Sequence, residues 1–248
     1  QIHGFGLGGK KLYEENPNHP GSLGIGMGEA MELVRKNPKC KLALGCMSYY
    51  ASMHQTIIGL ELKKQIEIGQ LKPDMLIACV GGGSNFMGFT APLIGDKLKK
   101  LNDCKFLAVE SSSIPSLTKG EYKYDFQDYF GYTPQVKMLT LGHKFVPPKL
   151  HSGGLRYHGK TPILSLLTNK GIIEPRYVSQ EEAFDACKLF YQTEGILAAP
   201  ESGHAIAQTI KEAKKAKEKG EEPTIIFCLT GNGYLDLKGY ADNFNLHK

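Results

Sequence analysis

The sequence has 248 residues, 41% of them hydrophobic and 22% charged, values that are typical of a folded globular chain and exclude wholesale disorder. Its formal net charge is +5, but basic and acidic residues are interspersed, which argues against nucleic acid as a partner. The sequence shows no apolar stretch of transmembrane length, which argues against a membrane partner.

Hydrophobic periodicity predicts helices that alternate with short strands along the chain. The predicted helices span residues 23–36, 53–68, 86–101, 181–194 and 205–219. The predicted strands span residues 41–44, 75–80, 106–109 and 224–229. Because apolar strands alternate with amphipathic helices, the sequence predicts an α/β fold in which a largely parallel sheet is flanked by helices and buried on both faces.

Two segments do not follow this alternation. The first carries the glycines Gly4, Gly6, Gly8 and Gly9, which are typical of a loop or of a frayed end. The second, from about 111 to 176, is polar, aromatic and rich in proline. So long an irregular segment inside a compact domain usually serves a site or an interface.

The sharpest local signal is the glycine loop at 81–85, which follows a predicted strand and precedes a predicted helix. Three glycines let backbone N–H groups converge, and the positive end of the next helix points to the same place, so a phosphate is the natural ligand. Phe86 stands where a dinucleotide loop needs glycine, and Phe89 where a P-loop needs lysine. The loop therefore suits a single terminal phosphate, the alternative being a tight turn without a ligand.

Two more elements are candidates for the same crevice. The loop 230–233 follows the last predicted strand, and ligands of parallel sheets gather at the carboxyl ends of the strands. Its Thr230 offers a hydroxyl to a ring nitrogen, whereas the alternative is an ordinary turn. Glu201 lies just before a predicted helix, where it is either a site residue or a charge that complements the helix dipole.

Cysteine and histidine usage gives no sign of a metal site. Six cysteines occur without a C-x-x-C pair, and several lie in apolar runs. This pattern predicts free, buried thiols in a reducing cytoplasm. The eight histidines are scattered, without the spacing of a zinc site.

Seven stretches, taken in chain order, resemble the β subunit of tryptophan synthase, and in particular the variant β subunits common in archaea and some bacteria. They span residues 19–25, 54–59, 81–85, 115–122, 151–159, 200–204 and 230–233. Each motif alone is weak evidence, but the ordered set is specific and covers nearly the whole chain. The resemblance implies the α/β fold of the fold-type II pyridoxal-phosphate enzymes, with this chain as the C-terminal portion.

The resemblance implies a reaction that depends on pyridoxal 5'-phosphate, in which β-replacement of L-serine with indole gives L-tryptophan. The cofactor would act as the electron sink, and the protein would supply orientation and tuning. The phosphate would bind to Gly81, Gly82, Gly83, Ser84 and Asn85. Thr230 would face the pyridine nitrogen and leave it largely unprotonated, and Glu201 would lie beside the ring near its phenolic oxygen.

Partners and a domain division are implied as well. A second β-type chain would give a homodimer, and a tryptophan synthase α subunit is a further expected partner. Residues 1–52 would be the remnant of a smaller, mobile domain, and residues 53–248 would form the large cofactor-binding domain. Family members also bind a monovalent cation, here through the backbone carbonyls of Val80, Gly81, Tyr157 and Gly159.

The family's two essential catalytic residues have no counterpart in this sequence. The lysine that forms a Schiff base with the cofactor belongs to a His-Lys-x-Asn motif, and the pairs His143-Lys144 and His247-Lys248 lack the asparagine. The glycine-rich loop of the catalytic glutamate is also unmatched. The first residue is Gln1 rather than Met, so we expect an upstream segment that carries both residues, and we expect this chain alone to be inactive.

Two other functions stay open at this point. Threonine synthases, serine dehydratases and cysteine synthases share the glycine loop and the cofactor. A non-catalytic remnant would keep a phosphate-binding loop without the chemistry. The stretches 117–122 and 151–159 are not shared by the related enzymes, so activity of the intact protein on indole would separate these functions.

Overall fold

A computed structural model describes residues 7–45 and 47–246 of the chain. The predictions made for Gly4, Gly6, Cys46 and the pair His247-Lys248 concern residues outside these ranges. The described helices are α1 Leu7–Glu15, α2 Leu23–Lys36, α3 Tyr49–His54, α4 Thr56–Ile68, α5 Ser84–Leu98, α6 Pro162–Asn169, α7 Gln180–Glu194, α8 Pro200–Lys219 and α9 Leu237–Phe244. The described strands are β1 Met75–Cys79, β2 Lys105–Ser111, β3 Glu121–Phe126, β4 Gln135–Thr140, β5 Glu174–Val178 and β6 Ile225–Phe227.

The central sheet has the strand order β5-β2-β1-β6, and each neighbouring pair is parallel. Leu76 of β1 is in register with Phe106 of β2 and with Ile226 of β6. Helices cover both faces of this sheet, since α5 contacts β1 and β2 and α8 contacts β1, β2, β5 and β6. The predicted α/β fold with a parallel sheet is confirmed.

Alternation along the strands explains the two hydrophobic clusters on either side of the sheet. Leu76, Ala78 and Val80 pack into the cluster on the side of α4, α5 and α6. Ile77 and Cys79 point the other way, into the cluster with α7, α8 and α9. Successive side chains of a strand face opposite sides of its sheet, so a continuous apolar run is buried on both. Each large aliphatic side chain buried in this way contributes about 2 kcal/mol to stability.

Several predictions for individual segments and residues were wrong. Residues 41–44 form no strand and are largely exposed, because a short apolar run does not by itself determine secondary structure. The helix predicted at 53–68 is divided at Gln55 between α3 and α4. Gly8 and Gly9 belong to α1, where Gly9 packs so closely on Glu29 of α2 that a Cβ would overlap its carboxylate. Cys40 is exposed, in contrast to the expectation of buried thiols.

The segment from 111 to 176 is more regular than its sequence indicated. It contains an antiparallel hairpin of β3 and β4, the short helix α6 and most of β5. Much of the hairpin is exposed, so its strands lack the continuous apolar run by which the central strands were found. The hairpin and the loop after it lead into a short 3-10 helix, Gly153–Leu155, at the candidate site.

Among the described residues, no helix is both long and apolar enough to cross a membrane.

Candidate functional site

A cleft of about 310 Å³ lies at the carboxyl ends of the parallel strands. The seven side chains and glycines predicted to bind a cofactor all line it, although they come from three separate parts of the sequence. The lining residues are Cys79, Gly81, Gly82, Gly83, Ser84, Asn85, Phe86, Gly154, Leu155, Glu201 and Thr230. The volume is at the lower end of the range for small-molecule sites.

Two glycines of the loop are required by its geometry. Gly83 has a φ of +106°, and a Cβ there would lie 2.5 Å from Cδ2 of Leu164. At Gly81 a Cβ would overlap the carbonyl oxygen of Gly154. A side chain at either position would therefore displace an element that packs against the loop, and at Gly83 it would also be strained.

Hydrogen bonds hold the carbonyl groups of the loop on the side away from the cleft. Lys160 Nζ donates to the carbonyl of Gly81 at 2.8 Å and to that of Val80 at 3.4 Å. The backbone N–H of Thr161 donates to the carbonyl of Gly82 at 2.7 Å. In a planar trans peptide the C=O and the next N–H point in opposite directions, so the N–H groups of residues 81–83 turn away from Lys160 and Thr161.

These N–H groups are well placed to bind an anion. Within the described part of the chain, those of residues 81–83 donate to no protein acceptor. Helix α5 begins directly after them, at Ser84, and adds the unpaired N–H groups and partial positive charge of a helix N-terminus. Ser84 is held by Gln55, whose Nε2 donates to Ser84 Oγ at 3.1 Å. The loop therefore has the geometry by which backbone N–H groups and a helix N-terminus can bind an anion such as phosphate.

Thr230 is fixed by Ser202, a residue that the sequence did not single out as a site residue. Ser202 Oγ accepts from the backbone N–H of Thr230 at 2.9 Å and donates to its carbonyl at 2.6 Å. The two hydroxyl oxygens lie 2.9 Å apart. Cys79 approaches from β1, with its sulfur 3.9 Å from Thr230 Oγ1. Burial raises the pKa of the Cys79 thiol to about 12, so this group is a neutral neighbour rather than a thiolate nucleophile.

Glu201 lies in the first turn of α8 and reaches across the cleft mouth. Its Oε1 accepts the backbone N–H of Gly154 at 2.9 Å. The carboxylate thus holds the 3-10 helix Gly153–Leu155 against α8 while it lines the cleft. In the sequence, Gly154 and Leu155 belong to the stretch 151–159 that resembles tryptophan synthase β subunits, but no local pattern marked them as site residues.

The predicted monovalent-cation ligands do not form an open set of carbonyls. Those of Val80 and Gly81 are bonded to Lys160, whose side chain is 0% exposed. Tyr157 and Gly159 are both buried, and Gly159 forms an isolated bridge with Thr140. Only the carbonyls of Val80 and Gly81 argue against the cation. A cation held by Val80 and Gly81 would lie beside an ammonium group, so the residues present do not fit it. For side-chain ligands, residues 7–45 and 47–246 bring together no cluster of His, Cys, Asp and Glu suited to a metal.

Comparison with known proteins agrees with the geometry of the cleft. Residues 17–231 match the sequence model of a family described as "Pyridoxal-phosphate dependent enzyme". The chain is 52% identical over 233 residues to tryptophan synthase beta chain 2 of Thermotoga maritima, a match that covers 94% of this chain and 55% of the relative. It is 53% identical over 234 residues to the tryptophan synthase beta chain of Thermococcus gammatolerans, with 94% of this chain and 53% of the relative covered.

Among solved structures, the fold is similar to that of a fungal L-serine ammonia-lyase from Rhizomucor miehei, with a TM-score of 0.61 and 17% sequence identity. That match covers 83% of this chain and 59% of the ammonia-lyase. At such low identity the likeness concerns the fold alone. The chain spans about half the length of the curated relatives that it matches.

Proposed function

The chain belongs to the pyridoxal-phosphate-dependent enzyme family, and on that premise we propose that it is part of a tryptophan synthase β-type enzyme. The proposed reaction is the β-replacement of L-serine with indole to give L-tryptophan. The observation that carries this proposal is the convergence of the glycine loop, Thr230 and Glu201 on one cleft. Identities of 52% and 53% to tryptophan synthase β chains support the same substrates.

The cleft fits pyridoxal 5'-phosphate by its shape and by its donors. The N–H groups of residues 81–83 and the start of α5 would hold the phosphate, together with Ser84 and Asn85. The absence of side chains at residues 81–83 leaves room for a close approach of the backbone. When bound, the cofactor supplies an electron sink for carbon–hydrogen and carbon–oxygen bond cleavage.

Thr230 and Glu201 would orient and tune the ring. The hydroxyl of Thr230, anchored by Ser202, would meet the pyridine nitrogen as a neutral partner and leave it largely unprotonated. This restrains the electron sink and favours elimination and replacement over transamination. Glu201 would lie near the phenolic oxygen, held in place by Gly154.

The covalent and acid–base groups would come from sequence outside these 248 residues. No lysine here lies in a His-Lys-x-Asn motif, and the relatives are nearly twice as long as the part that this chain matches. We expect the full-length protein to bring that lysine and a catalytic glutamate to the open side of the cleft. Residues 1–52 would then contribute to a smaller, mobile domain, and residues 53–248 to the cofactor domain.

A homodimer and an association with a tryptophan synthase α subunit belong to the same proposal, as does a cytoplasmic location. The names of the relatives support the α-subunit partnership, since they are β chains of an enzyme. The family's monovalent cation is not carried into this proposal, because the carbonyls of Val80 and Gly81 are bonded to Lys160.

The test is made on the full-length protein with pyridoxal phosphate, L-serine and indole. Formation of tryptophan, measured by mass spectrometry, supports the proposal. Pyruvate from L-serine with no tryptophan would instead assign a dehydratase, and cysteine formed on addition of sulfide would assign a cysteine synthase. The 248-residue chain alone serves as the control and should give no turnover, because it lacks the cofactor lysine.

A further inference from the structure

The ammonium group of Lys160 lies under the phosphate-binding loop, where it is completely buried. Its Nζ is 2.8 Å from the carbonyl oxygen of Gly81, 3.4 Å from that of Val80 and 3.6 Å from Oε2 of Glu110. Buried lysines are rare unless they are paired, because removal of the charge from water is costly. Because Lys160 lies directly behind the glycine loop, its charge can act on the backbone of that loop.

Glu110 is an ion-pair partner that is itself tightly held. Its carboxylate is 1% exposed, and both of its oxygens accept hydrogen bonds. The backbone N–H of Leu117 donates to Oε2, and the backbone N–H and hydroxyl of Thr118 donate to Oε1, at 2.8 to 2.9 Å. Burial lowers the pKa of Lys160, and the charge of Glu110 opposes that change. The arrangement is that of a buried pair whose negative member is fully hydrogen-bonded.

We propose that the ammonium group of Lys160 is the resident cation of this site, in place of a bound monovalent metal ion. It binds the carbonyls of Val80 and Gly81, the groups that the family resemblance assigns to a metal ion. From the same position, the ammonium group also neutralises the negative charge of the Glu110 carboxylate. Lys160 is thus a positioning residue for the loop. The inference rests on the proposed function in one respect, namely that the ligand of the loop is a phosphate ester.

The planarity of the peptide bond carries the effect of Lys160 into the cleft. With the carbonyl of Val80 turned towards Nζ, the N–H of Gly81 points the other way, and the carbonyl of Gly81 sets the N–H of Gly82 in the same manner. Without the ammonium group, these two carbonyls would lose their donor and would be free to rotate towards other partners. The loop would then present fewer N–H groups to the phosphate.

A metal ion at the same carbonyls is disfavoured by charge. It would have to lie beside Nζ, and two cations at such a distance repel strongly where little water separates them. One negative charge, that of Glu110, would have to balance both. The stability of the protein should therefore not depend on which monovalent cation its buffer contains.

The first experiment tests whether thermal stability depends on the monovalent cation. The protein, in the length in which its host makes it, is dialysed into chloride salts of sodium, potassium, ammonium or tetramethylammonium at equal ionic strength. Tetramethylammonium is too large to enter a carbonyl site. We expect thermal unfolding midpoints that agree within about 1 °C. A saturable rise of several degrees in sodium or potassium would overturn the proposal.

The second experiment removes the ammonium group with Lys160→Met. The ligand is pyridoxine 5'-phosphate, which has the ring and phosphate but no aldehyde, so it cannot react with other lysines. In tetramethylammonium chloride we expect a midpoint lower by about 10 °C. Calorimetry should show about tenfold weaker binding of the ligand. Potassium or ammonium ions, which can enter the vacated space, should recover part of both losses.

Lys97→Met is the matched control, since Lys97 also donates to a backbone carbonyl, that of Cys104 at 2.7 Å, at the far end of α5. It should show no effect that depends on the identity of the cation. Unchanged ligand affinity in Lys160→Met, or a loss equal in all four salts, would reduce Lys160 to a packing residue and refute the proposal. If Lys160→Met does not fold in any salt, the salt series of the unsubstituted protein decides. None of these readouts requires tryptophan to be formed, so the proposed function can fail independently.

Discussion

The hydroxyl of Ser202 lies 2.9 Å from the hydroxyl of Thr230 and bonds both backbone polar groups of that residue. Ser202 lies in the first turn of α8, whereas Thr230 follows β6, so this contact joins the helix to the end of the sheet. The position of the Thr230 hydroxyl in the cleft therefore depends on a buried side chain that would not itself touch a ligand.

Ser202→Ala should release Thr230 from this anchor. We expect the free energy of unfolding to fall by about 1 to 3 kcal/mol, because two partly buried backbone groups of Thr230 lose a partner. Tryptophan formation by the full-length protein should fall with it. Thr209→Ala, which removes a hydroxyl that bonds the carbonyl of Ala205 in the same helix, is the control and should preserve activity. Equal behaviour of the two variants would show that the Ser202 anchor is dispensable.

Gly83→Ala should abolish phosphate binding. Its φ of +106° is strained for any residue with a Cβ, and the added carbon would meet Leu164 at 2.5 Å. We expect a destabilisation of about 2 kcal/mol or more in urea unfolding, with no detectable heat of binding for pyridoxine 5'-phosphate. Gly95→Ala provides the comparison, because a Cβ at Gly95 of α5 meets nothing within 4 Å. This control should be stabilising by up to about 1 kcal/mol.

Gly28→Ala should destabilise the protein although alanine favours helices. Gly28 lies inside α2, and a Cβ there would overlap the ring of Phe130. We expect a loss of about 1 to 3 kcal/mol, opposite in sign to the change at Gly95. Thermal unfolding of both variants checks the prediction, and a stabilised Gly28→Ala would show that the contact with Phe130 is loose.

Glu201→Gln separates the hydrogen bond of this residue from its charge. The amide oxygen of glutamine can still accept the N–H of Gly154, so folding and affinity for pyridoxine 5'-phosphate should change little. Activity of the full-length protein should fall by about a hundredfold if the charge beside the ring is used in catalysis. Glu181→Gln, at an exposed position of α7, is the charge-matched control and should leave the rate unchanged. A fully active Glu201→Gln would return Glu201 to a structural role.

Acid should destabilise the protein through His204. Burial lowers the pKa of this histidine from its ordinary value of 6.5 to about 4, so the folded state holds it neutral. Between pH 6.5 and 4, the histidine binds a proton in the unfolded chain but not in the folded chain. The contribution of neutral His204 to the free energy of unfolding is therefore complete above about pH 6.5 and is lost as the pH falls towards 4. The full loss in the free energy of unfolding is about 3 kcal/mol. Urea unfolding from pH 7.5 to 4.5 should show a smaller slope in His204→Leu than in the unsubstituted protein.

The central sheet and the convergence of the site could be predicted from the sequence because both follow from local patterns. The apolar runs at 75–80 and 106–109 mark strands, and a loop after a parallel strand must open at the carboxyl edge of the sheet. Thr230 and Gly81 were therefore expected to share a crevice, and both line the same cleft.

What could not be predicted depends on contacts between distant parts of the chain. Lys160 reads in the sequence as an ordinary polar residue of a loop, and only the fold buries it behind Gly81. Gly154 carries no pattern that distinguishes it from other glycines until Glu201 is placed beside it. The hairpin strands are exposed over much of their length and have a mixed composition, so periodicity did not reveal them.

The carbonyls of Val80, Gly81 and Gly82 are bonded within the protein itself, by Lys160 and Thr161. Their conformational entropy is thus lost when the chain folds, and a ligand that arrives later does not have to order them. Phosphate esters should consequently bind and leave without refolding of the loop. Differences in affinity among them should reflect the fit of their rings between Glu201 and Thr230.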